Sequence, residues 1–168
     1  IGGLERASFT VEGRHLTAAD VGVDFFFEFP PNNSYIFNPS NSFSSAHAFF
    51  EPDNDIGVFR YQTFADAAMV APTAKPTVKT VMAGSWDNTA RKGNRAHIFH
   101  GCTPESYETW LRNAVAYAAD NPAVGSESMV FINAWNEWAE GVYLEPDRKY
   151  GYALLAATQR VAFGSSGA

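Results

Sequence analysis

Residues 132–141 read INAWNEWAEG, directly after the apolar run Met129-Val130-Phe131. Glu137 and Glu140 stand three positions apart, interleaved with Trp135, Asn136 and Trp138. A segment that only packs has no use for the glutamates, and one that only dissolves has no use for the indoles. Two carboxyls at short range suit glycosyl transfer. One must stay protonated to protonate a leaving oxygen, the other must be ionised to act as base or nucleophile, and their mutual repulsion separates the two states. Tryptophans beside them offer a platform for a sugar face and lower the local dielectric.

The spacing makes a demand on the backbone. In an extended strand, positions i and i+3 face opposite sides, whereas in a helical turn they are neighbours about 5–6 Å apart. The strand is therefore expected to break into a turn near Asn136, with Gly141 releasing the chain. The competing reading is a solvated helix start, with the glutamates complementing the dipole.

The elements needed to hold such a pair can be read as three strand-then-helix units. A first strand at 23–29 (VDFFFEF) stops at Pro30-Pro31, and the polar stretch 32–47 reads as loop. A helix at 61–71 carries Phe64, Ala67, Ala68 and Ala71 at helical spacing and ends before Pro72. A second strand spans 77–82, followed by the loop AGSWDNTARKGNRAHIFHG. The next helix is the best signalled, with Thr103 as N-cap, Pro104 at the first position, Glu105 on the dipole and Asn121-Pro122 at the close. A third strand at 129–134 precedes the glutamate motif, and a last helix is expected at about 150–162.

Strands that alternate with helices and are apolar on both faces predict a parallel α/β sheet. A (β/α)8 barrel takes about 250 residues, so 168 residues with three units are expected to be the C-terminal part of such a barrel, lacking its N-terminal half. A small open α/β sheet is the alternative. Ligands in parallel α/β folds bind at the carboxyl ends of the strands. Glu28 closes the first predicted strand, Asp87 follows the second and the Glu137/Glu140 pair follows the third, so they are expected to converge.

Other residues have two readings each. Asp87 and Arg91 form either a structural ion pair in the loop WDNTAR or substrate contacts. Glu28 after a phenylalanine run would be costly to bury alone, which points to a functional or arginine-paired role. His97 and His100 give H-x-x-H without a third ligand, so packing or surface histidines are expected, and no metal or cofactor. Cys102, the single cysteine, has no base to activate it and reads as a packed residue. Trp110 reads as core. The net charge of −6 without a basic cluster speaks against nucleic acid, and no apolar run approaches a membrane span of about 20 residues.

The segments SWDNTARKG, TPESYETWL and FINAWNEWAEGVYLEPDRKYGYALL resemble the C-terminal half of the WbsX-like proteins, and VDFFFEFPP is similar to an upstream element. That family is linked to polysaccharide-biosynthesis glycosyltransferases and to glycoside hydrolase family 99. The resemblance implies a (β/α)8 barrel acting on an oligosaccharide or polysaccharide. By position, Glu137 matches a base that deprotonates the sugar 2-hydroxyl and Glu140 matches an acid/base. Trp86, Asp87, Arg91, Trp135, Asn136, Trp138, Tyr143 and Glu145 join Glu28 as expected substrate-binding positions. Trp86 stands where the hydrolases carry tyrosine, and Ala139 where they usually carry histidine. The expected activity is retaining endo-hydrolysis of α-linked glycans, manno-configured ones among them. The alternatives are a transferase of surface (O-antigen-type) polysaccharide assembly and a glycan-binding domain without catalysis.

Overall fold

A computed structural model of the chain describes residues 2–4, 10–11, 14–31, 56–70 and 77–164. Its main sheet has four strands, β1 (Gly2–Leu4), β4 (Phe25–Phe27), β6 (Thr77–Met82) and β9 (Val130–Asn133). They lie side by side in chain order and every neighbouring pair is parallel. A short antiparallel pair, β2 (Thr10–Val11) and β3 (Arg14–His15), stands between the first two. The parallel α/β expectation holds for this sheet. The predicted loop 32–47, the helix end at 71–72 and the terminal residues 165–168 lie outside the described residues.

A second sheet has the order β5-β8-β7, from β5 (Gly57–Arg60), β7 (Trp86–Asp87) and β8 (His97–His100). β5 runs parallel to β8, and β7 antiparallel to it. These strands replace much of the loop read from sequence. Each parallel member leads toward a helix: β5 into α1 (Tyr61–Val70), and β8 through a short link into α3 (Pro104–Asp120). A four-residue helix, α2 (Thr89–Lys92), follows β7.

α3 begins as its sequence predicts. The Thr103 hydroxyl accepts from the Ser106 N–H at 3.2 Å, and the Ser106 hydroxyl accepts from the Thr103 N–H at 2.9 Å, so two of the helix's orphan donors are satisfied. The final helix, α4, spans Ala153–Phe163 and starts three residues later than predicted. Asp147 explains the delay: its carboxylate accepts from the Tyr150 N–H at 2.5 Å and holds 147–151 as a turn.

The core lies between the sheets and helices α1, α3 and α4. Trp110 packs edge-on against Tyr61 and Phe64, and Phe64 against Phe99. The Tyr61 hydroxyl donates to the Met82 carbonyl at 2.6 Å, tying α1 to the end of β6. The inward face of α1 is Tyr61, Phe64, Ala65 and Ala68, with Ala65 in place of the predicted Ala67. Cys102 belongs to this core and burial pushes its thiol up to about 11. Among the described residues no helix is long and apolar enough to cross a membrane.

β6 is buried along its whole length although it contains Lys79. The Lys79 ammonium meets the Glu28 carboxylate at 2.7 Å, donates to the Ala68 carbonyl of α1 at 3.3 Å and lies over the Tyr117 ring of α3. Both ionic side chains are almost fully enclosed, 4% and 6% exposed. Lys79, 51 residues away in sequence, is thus a partner of Glu28. Removing one member of such a pair strands a buried charge, whereas replacing both need not destabilise. Glu28→Leu, which strands the Lys79 ammonium, is therefore expected to cost about 3–5 kcal/mol in denaturant unfolding. The double variant Glu28→Leu/Lys79→Met should recover most of that loss, and a single variant as stable as the wild type would refute the account. A thiol reagent at pH 8 should leave Cys102 unmodified in the folded chain and label it once denaturant is added; rapid labelling of the folded chain would contradict its burial.

Candidate active site at the carboxyl end of the sheet

The chain leaves β9 at Asn133 and turns back as a hairpin, β10 (Asn136–Glu137) paired antiparallel with β11 (Val142–Tyr143). The turn between them is one 3-10 turn, Trp138–Glu140, closed by Gly141 at φ +66°. Glu137 is the last residue before this turn and Glu140 the last within it. The predicted break in the strand is real, but it falls at Trp138–Glu140 rather than at Asn136. Gly141 is favoured by its backbone, because its φ lies in the left-handed region that disfavours other residues.

The hairpin is stitched to the end of β6. The Tyr143 N–H donates to the Ala83 carbonyl at 3.1 Å, Gly84 bridges Val142, and the Trp135 carbonyl accepts from both Leu144 and Glu145. Glu137 and Glu140 then line one open depression of about 500 Å3, together with Ala90, Arg91 and Ala139. Arg91 forms a salt bridge with Glu140, an arrangement in which the guanidinium side chain is 61% exposed and the carboxylate side chain 12%. Asp87 does not pair with Arg91. Its carboxylate accepts from the Thr89 N–H at 2.9 Å and so shapes the start of α2.

The other predicted positions separate into two groups. Trp138 stacks on Tyr143 with ring centroids 3.7 Å apart and 14° between planes, and its indole N–H donates to Glu145 at 2.6 Å. The Tyr143 hydroxyl donates to Asp147 at 3.1 Å; burial and then that carboxylate raise its pKa, so it stays a proton donor well into alkaline conditions. Asn136 and Trp135 are exposed on the same hairpin. Trp86 and Glu28 are elsewhere in kind. Trp86 is 3% exposed and belongs to the core, its indole N–H without a hydrogen-bond partner among the described residues. Glu28 is buried against Lys79 beneath α1 and α3.

His97 and His100 sit at either end of strand β8, not on a loop or helix. Three apart on a strand, they point to opposite sides. His97 stands edge-on to Phe59, and burial lowers its pKa. No group of three or more His, Cys, Asp or Glu is placed to hold a metal ion among the described residues. The sequence reading missed Ala90 and Ala139 as walls of the depression, and Asp147 and Tyr150 as supports. Asp147 had a local signal, the D-x-x-Y turn spacing with its acceptor three residues before the Tyr150 amide.

Comparison with known proteins places this arrangement in context. A solved structure described as a glycoside hydrolase-like protein aligns with 95% of this chain and 43% of its own, at a TM-score of 0.47 and 16% identity. The protein WxcX of Xanthomonas campestris pv. campestris strain B100 is 37% identical over 141 residues, and its counterpart in strain ATCC 33913 is 36% identical. Those stretches are 84% of this chain and 20% of each relative, so the chain spans about a fifth of the length of the curated relatives it matches. The sequence model described as Glycosyltransferase WbsX matches residues 4–158. The chain therefore belongs to the glycosyltransferase WbsX family, a family of glycan-related enzymes.

Proposed function

We propose that this chain carries the catalytic end of a retaining glycoside hydrolase acting on α-linked glycans, with Glu137 and Glu140 as its working pair. One observation carries the reading: both carboxylates open onto the same depression beyond the carboxyl ends of β6 and β9. In this scheme Glu137 takes the proton of the sugar 2-hydroxyl, and O2 attacks the anomeric carbon of its own ring. The bond to the leaving oxygen breaks as Glu140 protonates that oxygen. Water then attacks the anomeric carbon, giving a proton to Glu140, as the bond from that carbon to O2 breaks and O2 recovers its proton from Glu137. The anomeric carbon is inverted once by O2 and once by water, so configuration is retained.

Arg91 fits the scheme as a partner that yields. A pair with one long, mostly solvated side chain contributes about 0–1 kcal/mol, which a bound sugar readily displaces. Ala90 and Ala139 leave the walls of the depression low, so a chain of sugars can lie across it. The monotonic order β1-β4-β6-β9 supports four consecutive strands of a (β/α)8 barrel, whose sites form at this end. The family's description favours a second reading, transfer from an activated donor, in which the same carboxylates would activate an acceptor hydroxyl.

Glu137 makes no side-chain hydrogen bond with the described residues and is exposed. Glu137→Gln should therefore leave the thermal midpoint unchanged, since such surface changes stay within about 0.5 kcal/mol. Turnover should fall by about 100-fold or more, as expected for loss of a positioned base. The measurement is product analysis on a panel of α-linked oligosaccharides with and without nucleotide sugars. Cleavage without donor, lost in Glu137→Gln, supports the hydrolase. Elongation that strictly requires donor overturns it in favour of transfer, and an active Gln variant removes Glu137 from the mechanism.

A further inference from the structure

Among the described residues no aromatic side chain lines the depression that holds the two glutamates, yet one of the two residues between them in sequence is a tryptophan. Trp138 is 49% exposed, and that exposure is one-sided. One ring face is covered by Tyr143 at 3.7 Å in near-parallel stacking. The indole edge is fixed by the 2.6 Å bond from Nε1 to Glu145. Behind Tyr143, its hydroxyl is tied to Asp147, and Asp147 to the Tyr150 amide. Tyr150 in turn donates to the Cys102 carbonyl just before α3. A chain of polar contacts thus runs from the buried framework to an indole whose free face looks to solvent.

A lone exposed aromatic residue is common and needs no explanation, but one held by both a ring stack and a hydrogen bond is fixed before any ligand arrives. Its use is recognition. An aromatic plane fixed before binding spares the entropy of ordering it on contact, and the polarised C–H face of a pyranose is attracted to an electron-rich ring. We infer that Trp138 is a stacking subsite for the pyranose ring next to the one attacked at Glu137 and Glu140. Glu145 and Asp147 are positioning residues that hold the Trp138–Tyr143 pair and do not themselves touch the sugar. This inference rests on the glycan-active reading of the same depression and adds to it the binding element, its supports and the class of ligand.

The test uses the full chain with its tryptophans replaced biosynthetically by 5-fluorotryptophan, followed by fluorine NMR. Trp138→Phe identifies the Trp138 line. An α-linked mannotriose and maltotriose are titrated separately into the Glu137→Gln variant. The expected result is a saturable shift of the Trp138 line with the line of buried Trp110 unmoved. Glu145→Ala should weaken binding by about 3- to 10-fold, the worth of one ordered side chain. Glu145→Gln, whose amide oxygen can still accept from Nε1, should bind within about 2-fold of the parent. An unmoved Trp110 line in every variant shows that the fold persists. The inference is overturned if neither sugar moves the Trp138 line, or if Glu145→Ala binds as tightly as Glu145→Gln. A saturable Trp138 shift in a wild-type chain that cleaves nothing would sink the hydrolase and keep the subsite. Cleavage with an unchanged KM in Trp138→Ala would do the reverse.

Discussion

Ala83 lies one step beyond β6, and its two backbone groups go to different partners. Its N–H donates to the Asn133 carbonyl at 2.7 Å, and its carbonyl accepts from the Tyr143 N–H at 3.1 Å. The first bond lengthens the β6–β9 ladder, and the second fastens the returning hairpin to the sheet. Buried backbone groups must be paired, so the hairpin cannot drift without orphaning them. Gly84 follows at φ +78°, a left-handed conformation that glycine adopts without strain. Both glutamates, Trp138 and Tyr143 take their places from that junction.

Two ion pairs in the chain show how surroundings divide roles between similar groups. Lys79 and Glu28 are enclosed by strands and helices, and neither can leave without exposing the other to an apolar medium. Arg91 and Glu140 meet at the rim of an open depression, where water screens them and the arginine can swing away. The first pair is architecture. The second is an occupancy that a ligand can contest. The two glutamates are almost equally enclosed, and it is the exposure of the cation, 4% for Lys79 against 61% for Arg91, that separates the pairs.

The sequence was most legible where one segment carries its own signal. β6 runs over the six residues predicted for it, and α3 starts at its Thr-Pro cap, because hydrophobic runs and capping residues act locally. The second sheet escaped notice because its strands are two to four residues long and pair across distance, Gly57 with His97 and Trp86 with Phe99. No periodicity develops in so short a strand. At the site, the turn between Glu137 and Glu140 was foreseeable from their spacing, but the partner of Arg91 was not. The nearby Asp87 looked the natural choice, yet the fold delivers Glu140 from 49 residues away. Glu28 looked like a site residue by closing a strand, and Trp86 by its place in the WDNT segment of the resemblance. Their side chains instead point into the packed interior, which strand-end position alone does not reveal.

The two carboxylates belong to a single ten-residue excursion, while Arg91 and Ala90 reach them from a separate stretch of chain. Their mutual spacing is therefore written into one turn and does not depend on how the larger elements are seated. A small rocking of α2 against the hairpin would leave the acids in register and alter only how far the guanidinium overlaps them and how wide the mouth stands. Such a motion would act as an aperture over the depression, leaving the spacing of the two carboxylates unchanged.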